Sequence, residues 1–265
     1  MAGRERLSLR QSMAGVLRVI PFRFQTATLS HPGALANNED VRGHRDGCWV
    51  VADGLGGHGG GEVAAQLAVD SLLATVDPAA PLSAESLMQA LTTATQAIHA
   101  RQRTEPRLSG MRTTVVMLVS DGTQALWAHL GDSRLYGFRA GRIVVQTADH
   151  SVPQALVRAG ELAPEAIRFH EDRNRLLRTL GDDKPLRPTL AETPWRLQAG
   201  DAFLLCTDGF WESVTEAEME IALAKSADPA HWLARLERVL HRQARADQDN
   251  YSAIALFVES EESAP

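Results

Sequence analysis

From about Phe22 to Val258 the chain alternates between two hydrophobic periods. Eight short runs rich in Val, Leu, Ile or aromatic residues read as strands: Phe22–Ser30, Cys48–Asp53, Thr113–Ser120, Gln124–Gly131, Arg134–Phe138, Arg142–Thr147, Ala202–Thr207 and Ala253–Val258. Helical spacing separates them. Glu62–Val76 and Ser83–Arg103 follow a glycine-rich segment, and Trp232, Leu236, Val239 and Leu240 share one face of a later helix. Thr215 with Glu218 has the form of a capping box opening a helix towards Ala224. Asp121-Gly122 offers a positive-φ pair for a tight hairpin and Ala140-Gly141 marks a second reversal, so four consecutive strands are expected to form one antiparallel meander. Consecutive helices flanked by antiparallel strands predict an α+β layered sandwich rather than a parallel sheet.

No repeat or low-complexity linker interrupts this pattern, which predicts a single domain over 21–260. Residues 1–20 read as an N-terminal extension, with Met13 as an alternative start, and 261–265 as a tail. The stretch 152–194 carries Pro153, Pro164, Pro185, Pro188 and Pro194 and reads as a flap-like surface excursion with short helices, where binding specificity often resides.

Composition narrows the function classes. The 265 residues hold 33 Asp and Glu against 27 Lys and Arg, a net charge of −6 that repels nucleic-acid phosphates and anionic lipid. Cys48 and Cys206 are the only cysteines, too few for a disulfide scaffold or a thiolate metal cage within one chain. They suit small core positions in a reducing, cytoplasmic setting. Apolar runs such as Val115 to Val119 fall far short of the roughly 20 residues of a membrane helix. Near the N-terminus Arg4, Arg6 and Arg10 precede an apolar stretch, but Arg18 interrupts it and no cleavage site follows.

The chemistry concentrates in Val51-Ala-Asp-Gly-Leu-Gly-Gly-His-Gly-Gly-Gly-Glu62. Gly54, Gly56 and Gly59 spell a dinucleotide-binding fingerprint, yet Asp53 would aim a carboxylate at a pyrophosphate and the strands downstream do not continue a βαβ alternation. Asp53 is either a turn residue or a ligand to a hard divalent cation, with glycines letting the backbone approach the ion. Three more aspartates stand at comparable junctions: Asp132 after Gly131, Asp208 before Gly209, and Asp249 before Asn250. Each alone is an ordinary turn residue. Together they are costly at the ends of core strands unless a cation neutralises them.

Taken in order, Asn38-Glu-Asp40, the Asp53 loop with Gly61-Glu62, Thr113-Thr114, Gly131-Asp-Ser-Arg134, Thr147-Ala-Asp-His-Ser151, Leu205-Cys-Thr-Asp-Gly209 and Asp249-Asn250 resemble the metal-dependent Ser/Thr protein phosphatases of type 2C, the PPM family, in their bacterial form. The resemblance implies an α-β-β-α sandwich whose two central antiparallel sheets hold two Mg²⁺ or Mn²⁺ ions at their strand ends. It implies that Asp53 bridges both ions, that the Gly54 carbonyl completes one site, and that Asp208 and Asp249 hold the other. Asp132 takes the position of a third, weaker metal shared with Asp208; Glu39 and Asp40 act through waters, and Asn250 supports the Asp249 turn. The implied activity is hydrolysis of phosphoserine and phosphothreonine in proteins by a hydroxide bridging the two metals, with His58 as general acid. The implied partners are substrates of an opposing Ser/Thr kinase. Two positions depart from the family: Leu35 stands where an arginine usually grips the phosphate, and Arg112 stands where glycine is usual before the paired threonines. Arg112, Arg42 or Arg45 is a candidate replacement. The lost arginine leaves a second reading, a pseudophosphatase or phosphoprotein-binding regulator with weak turnover.

Overall fold

The computed structural model describes residues 22–56, 60–77, 80–243 and 246–260. The expected extension with Met13, the tail and His58 lie outside the described residues. In chain order the elements are β1 (Arg23–His31), β2 (Asp40–Arg45), β3 (Cys48–Leu55), α1 (Gly60–Thr75), α2 (Ala84–Thr104), β4 (Arg112–Thr113), β5 (Val115–Ser120), β6 (Gln124–Leu130), β7 (Arg134–Arg139) and β8 (Arg142–Gln146). They continue with α3 (Val152–Ala159), β9 (Thr189–Leu190), β10 (Trp195–Arg196), β11 (Ala202–Cys206), α4 (Asp208–Trp211), α5 (Glu216–Leu223), α6 (Pro229–Gln243) and β12 (Tyr251–Glu259).

Two antiparallel sheets result. One has the order β1-β12-β11-β7-β8; the other runs β10-β6-β5-β3-β2, with β4 pairing β3 and β9 pairing β6. Side chains alternate across each strand, and the alternation sorts them into three cores. Cys48, Val50 and Ala52 of β3 pack outward against Leu72 of α1 and Leu91 and Ile98 of α2. Tyr136 of β7 and Leu204 and Cys206 of β11 pack outward against Trp232, Leu236 and Leu240 of α6. Trp49, Val51, Leu118, Phe203, Leu205 and Ile254 fill the space between the sheets. This is the four-layer α-β-β-α order, stabilised by about 1.5–3 kcal/mol for each large apolar side chain buried. Both cysteines are fully buried, and burial pushes the Cys48 thiol up to about 12.

Local signals explain the helix boundaries. Ser83 caps α2 through a reciprocal capping box with Ser86, and Thr215 caps α5 in the same way with Glu218. No helix among the described residues is long and apolar enough to cross a membrane.

Two expectations need correction, and one strand was missed. The four strands expected to form one meander instead make two hairpins in different sheets: β5 pairs β6, and β7 pairs β8. The link between them crosses from sheet to sheet at Gly131, whose φ of +92° suits glycine. The positive-φ pair is Ala140-Gly141, at +51° and +75°, whereas in the first hairpin only Gly122 is positive. There Ser120 faces Ala125, so the turn centres on Gly122-Thr123, and Asp121 accepts from the Thr123 and Gln124 amides. In addition, β2 escaped the pattern because Val41 is its one strongly apolar residue; it is a sheet edge whose last two residues, His44 and Arg45, are exposed.

Candidate metal centre

The layer between the sheets changes character along its own strands. On β3 the inward positions run Trp49, Val51, Asp53; on β11 they run Phe203, Leu205 and then Thr207; on β12 they run Leu256, Ile254, Ser252 and back to Asn250. Apolar side chains thus give way to polar ones at one end of the sandwich. A cavity of about 330 Å³ opens there, lined by Glu39, Asp53, Gly54, Asp132, Asp208, Asp249 and Asn250 among others. Carboxylate oxygens of Asp53, Asp132 and Asp208 lie within 4.8 Å of one another. Asp249 lines the same cavity outside that trio.

Hydrogen bonds fix the backbone behind the carboxylates. Thr114 donates its amide to the Asp53 carbonyl at 2.8 Å, and the Asp53 amide donates to the Thr114 hydroxyl at 3.0 Å. Thr113 adds a hydroxyl donor to the same carbonyl at 2.8 Å, which gives the paired threonines their purpose. Asn250 ties its own loop to the one between β1 and β2: its side-chain oxygen accepts from the Glu39 amide, and its amide nitrogen donates to the Pro32 and Asn37 carbonyls. The Asp132 carbonyl accepts from the Trp211 indole, whose ring lies 3.3 Å from the Arg134 guanidinium carbon. Arg134 in turn makes a buried bidentate pair with Asp149.

The glycines serve close approach rather than pyrophosphate binding. A Cβ on Gly54 would meet the Gly61 backbone at 2.2 Å, and one on Gly61 would meet a Glu39 carboxylate oxygen at 2.0 Å. The end of β3 and the start of α1 therefore lie back to back. A helix that begins at Gly60 turns its first amides towards the acidic end of the sandwich.

Electrostatics make this arrangement expensive for the protein alone. Burial raises the Asp53 carboxyl well above its ordinary range, and the charges of Asp208, Asp40, Asp132 and Asp249 raise it further. Burial and then Asp132 and Asp249 do the same to Asp208. Asp132 is pushed up to about 8 by burial and then by Asp149, and Asp40 to about 7 by burial, offset in part by the Thr207 hydroxyl that it accepts at 2.9 Å. Glu39 is raised by burial and by Glu62 and Asp249. One carboxylate oxygen each of Asp132 and Asp40 is buried without a hydrogen-bond partner among the described residues. An all-oxygen donor set with orphaned lone pairs fits a hard divalent cation.

The structure brings together Asp53, Gly54, Asp132, Asp208, Asp249, Glu39 and Asn250 at the cavity, with Asp40 directly behind them. Leu35 also lines it and is 49% exposed. Arg112 does not line it; it is exposed on β4 opposite Leu55. Arg42 lies on β2 opposite Val51, and Arg45 lines a different cavity beyond Cys48 at the far end of β3. His58 falls in 57–59, between the cavity residue Leu55 and Gly60. Sequence reasoning missed Asn37, Asn174 and Leu176, all at the cavity. Asn174 and Leu176 come from the proline-rich excursion, held over the site by bridges from Leu176 to Ser151 and from Leu180 to Thr113.

Comparison with known proteins identifies the family. The protein phosphatase 2C family model matches residues 34–248. The serine/threonine protein phosphatase PstP of Mycobacterium tuberculosis is 37% identical over 205 residues, covering 76% of this chain and 39% of PstP, so the chain spans about two fifths of that relative's length. The serine/threonine phosphatase stp of Listeria innocua is 36% identical over 176 residues, 64% of this chain and 69% of its own. Among solved structures, the PstP catalytic domain in complex with two manganese ions superposes with a TM-score of 0.78 at 32% identity, covering 89% of this chain and 99% of that one. With its clustered aspartates at the ends of two packed antiparallel sheets and the family pattern running through 34–248, the chain belongs to the protein phosphatase 2C family.

Proposed function

We propose that this chain is a protein serine/threonine phosphatase that hydrolyses phosphoserine and phosphothreonine with divalent cations held in the acidic cavity. One observation carries the reading: three carboxylates within 4.8 Å, those of Asp132 and Asp208 buried and that of Asp53 half-buried, with an orphaned oxygen on Asp132, are ionised together at neutral pH only around positive charge. Asp53, Asp208, Asp249 and the Gly54 carbonyl would hold two Mg²⁺ or Mn²⁺ ions, and Asp132 with Asp208 a third, weaker one. Bound there, such ions supply Lewis acidity that activates water at neutral pH and cancels phosphate charge.

The chain's own residues do the rest. Thr113, Thr114 and Asn250 hold the ligand loops at fixed spacing, so the ligands need no reorganisation when substrate arrives. Glu39 at the cavity wall and Asp40 behind it orient water. Leu35, Leu55 and Leu176 give the cavity an apolar wall that limits bulk water. Asn37 and Asn174 offer neutral donors to phosphate oxygens. His58 protonates the departing serine or threonine oxygen. No cysteine nucleophile competes, because both thiols are sealed in apolar cores.

The cavity has no arginine among its described lining residues, and this favours a second reading, a phosphoprotein-binding regulator with weak turnover. Hydrolysis of p-nitrophenyl phosphate and a phosphothreonine peptide, with Mn²⁺, Mg²⁺ or chelator, separates the two. Metal-dependent turnover of the peptide supports the phosphatase; metal and peptide binding without turnover supports the regulator.

A further inference from the structure

A second cavity, of about 240 Å³, adjoins the acidic one. It is lined by Leu130, Leu177, Arg178, Thr179, Asp182, Lys184, Pro185 and Arg187. The two linings are neighbours along the chain: Leu176 lines one and Leu177 the other, and Asp132 lines one and Leu130, two residues before it, the other. A peptide that passes from one lining to the other across these neighbouring residues covers on the order of 10 Å, about three residues of an extended chain. The charges of the two cavities are opposite. Three cations face one carboxylate, Asp182, whose oxygen lies 3.7 Å from the Lys184 ammonium, so this small cavity is net positive on a chain of net charge −6.

Its interior shows the mark of a missing partner. Thr179 is only 8% exposed, and its hydroxyl has no hydrogen-bond partner among the described residues. Arg178 is held by a bond from its guanidinium to the Arg187 carbonyl at 3.2 Å, which leaves further N–H groups of the fork for a ligand. Lys184 and Arg187 stand exposed at the mouth. A hydroxyl donor at the floor and cations above it match a tetrahedral anion or a carboxylate.

The geometry points to a binding site for a second anionic side chain of the substrate, a phosphorylated or acidic residue about three positions from the phosphorylated residue in the acidic cavity. This rests on the phosphatase reading for the identity of the substrate. It makes the favoured substrate a phosphoprotein segment carrying clustered negative charge, which the acidic cavity alone would disfavour.

The test uses three phosphothreonine peptides that differ at one flanking position, with serine, glutamate or phosphoserine three residues away. Turnover and affinity are measured for the Mn²⁺-loaded chain and for the double variant Lys184→Ala/Arg187→Ala, and the readout is the ratio between peptides within one preparation. In the unaltered chain the phosphoserine peptide has a KM about tenfold below the serine peptide, with glutamate between them. In the double variant the three peptides come within about twofold of one another, while the melting curve confirms that it is folded. Equal KM values in the unaltered chain, or a preference that survives the double variant, overturn the proposal. If no peptide is turned over, the phosphatase reading fails instead, and calorimetric affinities for the same peptides decide the site: charge-dependent affinity lost in the double variant supports it, and charge-independent affinity overturns it.

Discussion

The apolar core between the sheets and the acidic cavity beside it are two stretches of the same layer, built on the same strands. Val51 and Asp53 are successive inward positions of β3, and Leu205 of β11 is followed by Thr207 one residue past the strand's end. Both regions bury side chains, apolar ones in the first and the carboxylates of Asp132 and Asp208 in the second. In the first, burial stabilises the fold through Trp49, Leu118, Phe203 and Ile254. In the second it destabilises the fold, because desolvation and mutual repulsion raise the Asp53, Asp132 and Asp208 carboxyls far from their ordinary range. The lesson is that the sandwich supplies rigidity at one end and spends part of it holding like charges together at the other.

Substitutions at the two ends should therefore act in opposite ways. The largest effect is expected from Asp208→Asn, which lowers phosphopeptide turnover by about 10³-fold or more, a loss on the scale of removing an essential electrostatic group. The same change relieves repulsion in the metal-free chain. Its melting temperature, read by calorimetry in chelator, stays level or rises; a large drop would contradict the account. Val51→Ala does the reverse, costing about 1.5–3 kcal/mol of stability in denaturant titrations while metal-saturated turnover of the folded fraction stays within a few-fold.

The next effect in size is the response to metal and pH. Asp40 and Asp132, raised to about 7 and about 8, keep protons in the folded state that they release on unfolding. Between about pH 4 and pH 8 the folded state binds more protons, so the stability of the metal-free chain falls as pH rises through that window. Thermal scans in chelator should show the melting temperature decreasing from pH 5 to pH 8.5. Saturating Mn²⁺ at pH 7.5 should raise it by about 5–10 °C, from about 2.7 kcal/mol of linkage at a hundredfold excess over Kd. The smallest effect is expected from Leu35→Arg, which puts a cation at the cavity wall and lowers KM for a phosphothreonine peptide by about tenfold with little change in kcat.

Features with local causes were legible in the sequence. The Thr215–Glu218 capping pair marked α5, helical spacing marked α2 from Ser83, short apolar runs marked β3, β11 and β12, and aspartates at strand ends marked the cavity. Features set by distant neighbours were not. Val41 alone could not reveal β2, whose partner β3 supplies the pattern it lacks. The crossing at Gly131 looked like another hairpin because a turn does not state which sheet follows it. The purpose of Gly54 and Gly61 depends on each other across the start of α1, and Asn174 reaches the cavity only because the bridge at Leu176 folds the excursion back.

The central claim is that the buried aspartates are a cation site that drives phosphate ester hydrolysis. Phosphate release from a phosphothreonine peptide, measured for the unaltered chain and for Asp208→Asn with Mn²⁺ and with chelator, tests it most directly. The account predicts turnover in one of the four combinations, the unaltered chain with Mn²⁺, and loss of about 10³-fold in the others. Turnover that persists both in chelator and in Asp208→Asn would contradict it.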